Sequence, residues 1–135
     1  MIFSEWERTV PIEFKEDVVW KMEAYRLSLF LSDAFWEDTN IILSEKRFSL
    51  ADQLYCSIGS ISANIIEGYS RKSKKEKARF YEISLGSARE AKDWYFKSRH
   101  IRSEKKSMSR IKVLTSIIKL LQKMISDQRW KSRHT

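Results

Sequence analysis

The sequence predicts an all-α fold, an up-down-up-down antiparallel four-helix bundle in one domain spanning residues 1–135. Three observations carry this. Only three glycines and one proline occur in 135 residues, too few breakers for a fold of many short strands and turns. Four stretches repeat apolar residues at three- and four-residue spacing. Helix start and stop signals fall between those stretches. A hydrophobic content of 42%, with 13% aromatic, is enough to bury a core, and a disordered body is not expected. Residues 1–13 and 130–135 are expected to be peripheral tails.

The first helix is expected over Asp17–Trp36. Val18, Met22, Tyr25 and Leu29 share one helical face. Leu27, Phe30, Leu31 and Ala34 widen the apolar surface beyond what one partner helix needs. Asp38-Thr39-Asn40 resembles its end, with Ile41-Ile42-Leu43 in the connection. The second helix is expected from Ser49, with Ser49 and Asp52 as a capping box. Leu50, Leu54, Ile58, Ile61 and Ile65 continue its stripe, and Gly68 fits a left-handed closing residue.

The third helix begins at the capping box Ser73-Lys74-Lys75-Glu76. Ala78, Tyr81, Leu85, Ala88 and Tyr95 keep near-heptad spacing, and the pattern extends to Ile101. A mid-helix glycine costs about 1 kcal/mol relative to alanine, so Gly86 implies close approach of a neighbouring helix. The fourth helix is expected over Ser107–Arg129. Ile111, Leu114, Ile118, Leu121 and Ile125 form its seam, and Ile117, Leu120 and Met124 form a second apolar flank suited to subunit contacts. Short links between such helices favour antiparallel neighbours.

Residues 60–71, SISANIIEGYSR, resemble the pattern S-I-x-x-N-I-x-E-G-x-x-R. Phe80, Leu85-Gly86-Ser87 and Glu90 match a later F…x-G-S-x-x-E signature, and Val19-Trp20-Lys21 an early V-W-x motif. Together these resemble the four-helix bundle family of proteins encoded in intervening sequences of 23S rRNA genes. The resemblance runs from about Phe14 into the fourth helix. Ser84 departs from it where alanine is common, Ala88 where a larger aliphatic is common, and the junction after Gly68 is unusually basic. The resemblance implies a left-handed antiparallel bundle, a ring-shaped homopentamer in some members, and no known enzymatic activity. Accessory variability proteins of retroelements are similar in fold and charge. That analogy implies a nucleic-acid and reverse transcriptase partner.

Asn64, Glu67, Gly68, Arg71, Gly86, Ser87 and Glu90 belong to the shared motif. Its polar members suit either a ligand cluster or a hydrogen-bonded network closing the turn, with Glu67 or Glu90 pairing with Arg71. The network is preferred, because buried polar groups need partners whatever the function. No Glu-x-x-His pattern or Gly-rich phosphate loop occurs, and His100 and His134 sit apart near helix ends. An enzyme, a metal and a cofactor are therefore not expected. Cys56, the one cysteine, lies in an apolar stretch and is expected to be a small buried hydrophobe. The acidic stretch MIFSEWERTVPIEF does not resemble a signal peptide. No run is apolar enough to span a membrane, and a cytoplasmic location is expected.

Charge gives the strongest functional signal. The chain carries +8, yet residues 1–50 hold six Lys/Arg against ten Asp/Glu. Residues 51–135 hold twenty against eight. Arg71, Lys72, Lys74, Lys75, Lys77 and Arg79 crowd a helix N-terminus, an end that favours anions. Antiparallel helices would bring Arg129, Lys131 and Arg133 to the same pole. Lys97, Arg99, Arg102, Lys105, Lys106, Arg110 and Lys112 gather at the other. These patches suggest phosphate-directed binding of RNA or DNA by a non-enzymatic homo-oligomer, a pentamer being favoured. Tyr69 and Tyr81 are candidates for stacking on bases. The alternative is a structural homo-oligomer or protein-interaction module whose charge asymmetry serves assembly.

Overall fold

The structure, a computed structural model, describes residues 2–134 and contains no strand among them. Two short helices, α1 (Phe3–Thr9) and α2 (Ile12–Lys15), precede a 3-10 turn at Val18–Lys21. Four long helices follow: α3 (Glu23–Ser44), α4 (Phe48–Tyr69), α5 (Lys74–Lys97) and α6 (Glu104–His134), with a 3-10 turn at Arg99–Ile101 before α6. The fold is therefore all-helical as expected, but with six α-helices rather than four.

α5 packs along both α4 and α6, and α3 closes the group against α4 and, less extensively, α6. Ala78, Ser84, Ala88 and Ala91 are fully buried on α5, and such small side chains let two neighbours approach its axis. Ile61, Ile65, Leu114, Ile117 and Leu121 fill the space around them. Gly68 meets Tyr81, Ile61 meets Ser84 and Ser60 meets Ser87, so α4 and α5 run antiparallel. Pairing of Glu82 with Arg129 at one end and of Tyr95 with Arg110, through Asp38, at the other makes α5 and α6 antiparallel too.

The first long helix departs most from expectation. Asp17 caps the 3-10 turn instead of starting an α-helix, its Oδ1 accepting from the Val19 N–H at 3.0 Å. Val18 is consequently exposed and off the core face. At its other end α3 passes straight through Asp38-Thr39-Asn40. Leu31, Ala34, Phe35, Asp38 and Ile42 lie on one buried stripe. Helix propensity disfavours Asp by only about 0.7 kcal/mol, whereas burying Ile42 completely is worth about 1.5–3 kcal/mol. Packing therefore overrides the local stop signal.

α3 ends in a Schellman turn. Lys46 takes φ 56°, its N–H donates to the Leu43 carbonyl at 2.9 Å, and the Arg47 N–H donates to Ile42 at 3.0 Å. A lysine occupies the left-handed position that glycine usually fills. The turn delivers the chain into α4 at Phe48, one residue early, and the Ser49–Asp52 capping box does not form. Gly68 does not adopt a left-handed conformation and lies inside α4. Its role is close approach: a Cβ there would sit 2.7 Å from Tyr81 Cε1 and 3.0 Å from Phe80 Cβ. Gly86, where close approach was expected, has nothing within 4 Å of a built Cβ.

Ser73 caps α5 as predicted, its Oγ accepting from the Glu76 N–H at 3.0 Å, while the Glu76 carboxylate turns to Arg79. α5 stops at Lys97, short of Ile101, and α6 exceeds its predicted bounds at both ends. Neither tail is bare chain. α1 buries Trp6, which packs on Phe3, Trp20 and Phe30 and donates its indole N–H to Asp33 at 2.6 Å. Residues 130–134 continue α6, with Trp130 stacked on His134. Met1 and Thr135, the outermost residues of those tails, lie outside the described residues.

One buried polar cluster ties three helices together. Asp38, fully buried, accepts from Arg110 Nε at 3.0 Å and Arg110 Nη2 at 3.3 Å. It also accepts from the Tyr95 hydroxyl at 2.7 Å. Asp38→Ala strands Arg110 without its buried partner, and we expect a loss of about 3–5 kcal/mol in denaturant unfolding. The glycines give an opposed pair. Gly68→Ala forces a buried tyrosine ring aside and should cost about 1–3 kcal/mol. Gly86→Ala, in open helical space, should gain about 0.5–1 kcal/mol. Equal shifts in the two unfolding midpoints would contradict this reading of the α4–α5 contact.

Candidate nucleic-acid interface

The link between α4 and α5 is four residues long, 70–73, so both helix ends and their side chains crowd one pole. Lys72 and Lys75 are exposed and Lys74 half-buried, and no carboxylate pairs with any of the three among the described residues. Arg71 and Arg79 are exposed but engaged. Arg71 pairs with Glu67 at 3.0 Å, as the motif led us to expect, and Arg79 pairs with Glu76 at 2.8 Å. Both guanidiniums lie over the Phe80 ring, at 4.9 and 4.6 Å. The hydrogen bond from Arg79, with surrounding positive charge, holds the Glu76 carboxyl below its ordinary pKa. Surface pairs of this kind are worth little and open readily to a competing anion.

Lys77 behaves differently. Its Nζ donates to the Tyr69 carbonyl at 2.6 Å and lies 5.2 Å from the Tyr69 ring centre. It thus supplies a donor to one of the orphan carbonyls that end α4. Burial, helped by the charge of Lys74, pushes its pKa down. Lys77 is partly a structural residue.

From α6, Arg129 reaches Glu82 and shares a shallow groove with Lys75, Glu76 and Arg79. Lys131 lines a second groove with Lys77. The C-terminal cations of α6 therefore join the junction pole, as the antiparallel reading anticipated. Tyr69 is half-buried and Tyr81 buried, which leaves Tyr81 without a free face for stacking.

The second predicted patch is thinner than its sequence suggests. Arg102 is turned inward, 8% exposed, with Nη1 donating to Ser98 Oγ at 2.7 Å and its guanidinium over Tyr95. Burial pushes its pKa down. Arg110 belongs to the Asp38 cluster, where hydrogen bonding to Asp38 and nearby negative charge outweigh desolvation and raise its pKa. Lys97 pairs with Asp93 at 2.6 Å and Lys106 lies 3.9 Å from Glu37. Arg99 folds over Phe96 and donates to its carbonyl. Lys105 and Lys112 remain as exposed cations. The two arginines were misassigned because basic residues near a helix end read alike whether they face solvent or a buried carboxylate. The missed signal was Asp38 itself, a lone carboxylate in phase with an apolar stripe.

The shared motif resolves into small structural contacts. Asn64 donates to the Ser60 carbonyl at 2.8 Å and to Ser60 Oγ at 2.9 Å, and Ser87 Oγ donates to Ser60 Oγ at 2.9 Å. Asn64 and Glu67 make no shared network. Glu90 accepts from the Trp94 indole at 3.4 Å and does not reach Arg71. Ser84, the departure from the family pattern, donates to the Ile61 carbonyl at 2.8 Å inside the α4–α5 contact.

Cys56, expected inside, is exposed. It lines a groove of about 560 Å³ between α3 and α4 with Phe35, Trp36, Tyr55 and Gly59, and no cation lines that groove. No group of three or more His, Cys, Asp or Glu that could hold a metal occurs among the described residues. None of the described helices is long and apolar enough to cross a membrane.

Residues 20–127 match the model of the 23S rRNA-intervening sequence proteins. The chain belongs to that family. Its matched span runs from the 3-10 turn before α3 into α6, and so includes the α4–α5 junction but not Arg129 or Lys131. Among solved structures, it is similar to a protein of unknown function from the S23 ribosomal protein family of Bacteroides thetaiotaomicron VPI-5482. The TM-score is 0.71 at 24% identity, covering 76% of this chain and 97% of that one. This likeness concerns the fold alone. No curated protein matches.

The chemistry of the pole gives a pH prediction. Burial raises the Tyr81 phenol to about 12, while an unfolded tyrosine titrates near 10. The unfolded state therefore loses its proton first. Stability from this group is complete below about pH 10 and falls away towards about 12. Tyr81→Phe should flatten that alkaline fall in denaturant midpoints, and an unchanged slope would contradict the assignment.

Proposed function

We propose that this family member is a non-enzymatic accessory protein that holds the phosphates of RNA or DNA at the α4–α5 pole. Its four long helices act as an up-down-up-down antiparallel bundle, with the short N-terminal helices added to one face. The observation that carries the reading is the group Lys72, Lys74 and Lys75. These cations stand at the N-terminus of α5 without carboxylate partners among the described residues. The helix dipole disfavours cations there, so the arrangement is locally unfavourable until an anion binds. Arg71, Arg79 and Arg129 can join by exchanging surface carboxylates for phosphates.

In a homo-oligomer, a pentamer being favoured, the pole would recur in each subunit and multiply weak contacts. A reverse transcriptase or another nucleic-acid enzyme is the partner this reading favours. The inward rotation of Arg102 and Arg110 makes the opposite pole secondary, with Lys97, Arg99, Lys105, Lys106 and Lys112 as its remaining contributors. A second reading, an assembly module without nucleic acid, draws on the acidic first third of the chain meeting the basic pole of a neighbour.

The test is binding to structured RNA and duplex DNA across a salt series. Six phosphate contacts on a duplex give a log–log slope of about −5. Lys72→Glu, Lys74→Glu and Lys75→Glu together should remove about half of that slope and most affinity, with the oligomer intact. Lys77 is left unchanged because it supports the end of α4. Dissociation of the oligomer by the same triple variant, with no nucleic-acid binding by the parent protein, would favour the assembly reading.

A further inference from the structure

The groove between α5 and α6 at the basic pole has a different character from the cationic rim beside it. It is lined by Met22, Tyr69, Tyr81 and Met124. Asp127 and Gln128 line it from α6, and Lys77 from α5. Its volume is about 410 Å³, within the range of about 300–1,000 Å³ usual for small-ligand sites. Phosphates alone need no such walls. Aromatic and thioether surfaces suit a flat, polarizable ring. A carboxylate and an amide together suit the donor and acceptor edge of such a ring.

Tyr81, 3% exposed overall, also lines this groove.

We infer that this groove takes one unstacked nucleobase of the strand whose phosphates are held by Lys72, Lys74 and Lys75, an inference that rests on the nucleic-acid reading above. The base stacks against Tyr69 and Met124 and presents its edge to Asp127 and Gln128. Within an intact duplex every base is stacked and its edge is paired, so the groove selects single strands, loops or bulges over continuous duplex.

The experiment uses the full chain and three probes of equal phosphate count: an RNA strand and a DNA strand, each carrying one central 2-aminopurine, and a blunt duplex. Binding and fluorescence are read for the parent and for an Asp127→Ala, Gln128→Ala variant. Asp127 pairs with Lys123 on the surface, at 3.5 Å, so the fold should be retained, and circular dichroism checks it. We expect a 2-aminopurine signal on binding and a tighter complex with strand than with duplex. The variant should lose about fivefold or more for strands, the effect of one edge contact, and nothing for duplex. A signal with RNA alone assigns the sugar as part of the recognised unit, and equal signals with both strands assign the base alone. Equal affinity for strands and duplex, unchanged in the variant, would sink the groove while leaving phosphate binding intact. Absence of binding by all three probes at low salt would overturn both.

Discussion

The buried carboxylate of Asp38 is the constraint around which the long helices are set. It lies on α3 and accepts hydrogen bonds from Arg110 on α6 and Tyr95 on α5. Apolar stripes such as Ile58–Ile61–Ile65 can slide by a turn and still be buried. A charge with no solvent exposure cannot, because a one-turn shift would leave it unpaired at a cost of several kcal/mol. The cluster therefore fixes which turn of α3 faces which turn of α5 and α6. Burial and the nearby Asp38 charge push the Tyr95 phenol well above its ordinary pKa. Tyr95 thus remains a hydrogen-bond donor to Asp38 wherever the protein is folded.

That cluster also shapes the surface by what it withdraws. Arg110 leaves one pole to neutralise Asp38, and Arg102 lies over Tyr95 beside it. Glu37 then takes part of the charge of Lys106. A pole that is strongly basic in sequence loses part of its exposed charge, with Lys105 and Lys112 left as exposed cations. The opposite pole has no buried carboxylate to draw its cations inward, and its surface carboxylates, Glu67, Glu76 and Glu82, each engage an arginine. Lys72, Lys74 and Lys75 are left without a carboxylate among the described residues. The asymmetry between the poles follows from where one acid is buried, and the sum of charges along the chain does not reveal it.

Sequence reasoning succeeded where information is local or periodic. The stripe Leu54, Ile58, Ile61 and Ile65, the cap at Ser73 and the Glu67–Arg71 pair were all legible, because each depends on residues within a turn or two of one another. Failures came where tertiary contacts overrode local signals. Asp38-Thr39-Asn40 has the composition of a helix end and becomes helix because two of the three side chains are buried against other helices. Gly68 takes the close-approach role expected of Gly86, and Gly86 takes neither expected role, since close approach depends on which side chain lies opposite, here Tyr81 in one case and none in the other. Cys56 was placed inside from its apolar neighbours, yet it falls on the open side of α4 where α3 leaves a groove. The cations of the junction were legible as residues. The groove beside them was not, because Tyr69, Met124 and Gln128 meet only when α6 returns to the pole where α5 began.

The contact between Gly68 and Tyr81 connects packing to that groove. Without a Cβ on Gly68, the Tyr81 ring can lie against the α4 backbone. A ring held there is fixed on the α4 side and lines the groove on the other. Lys77, bonded to the Tyr69 carbonyl, steadies the end of α4 above it. The same few residues therefore close the α4–α5 turn and build the wall of the groove. Within the motif, Gly68 permits the close approach of Tyr81 and Glu67 pairs with Arg71. In the proposed reading, the contacts around Gly68 and Lys77 hold the pole that carries the exposed lysines, and preorganisation of this kind favours binding.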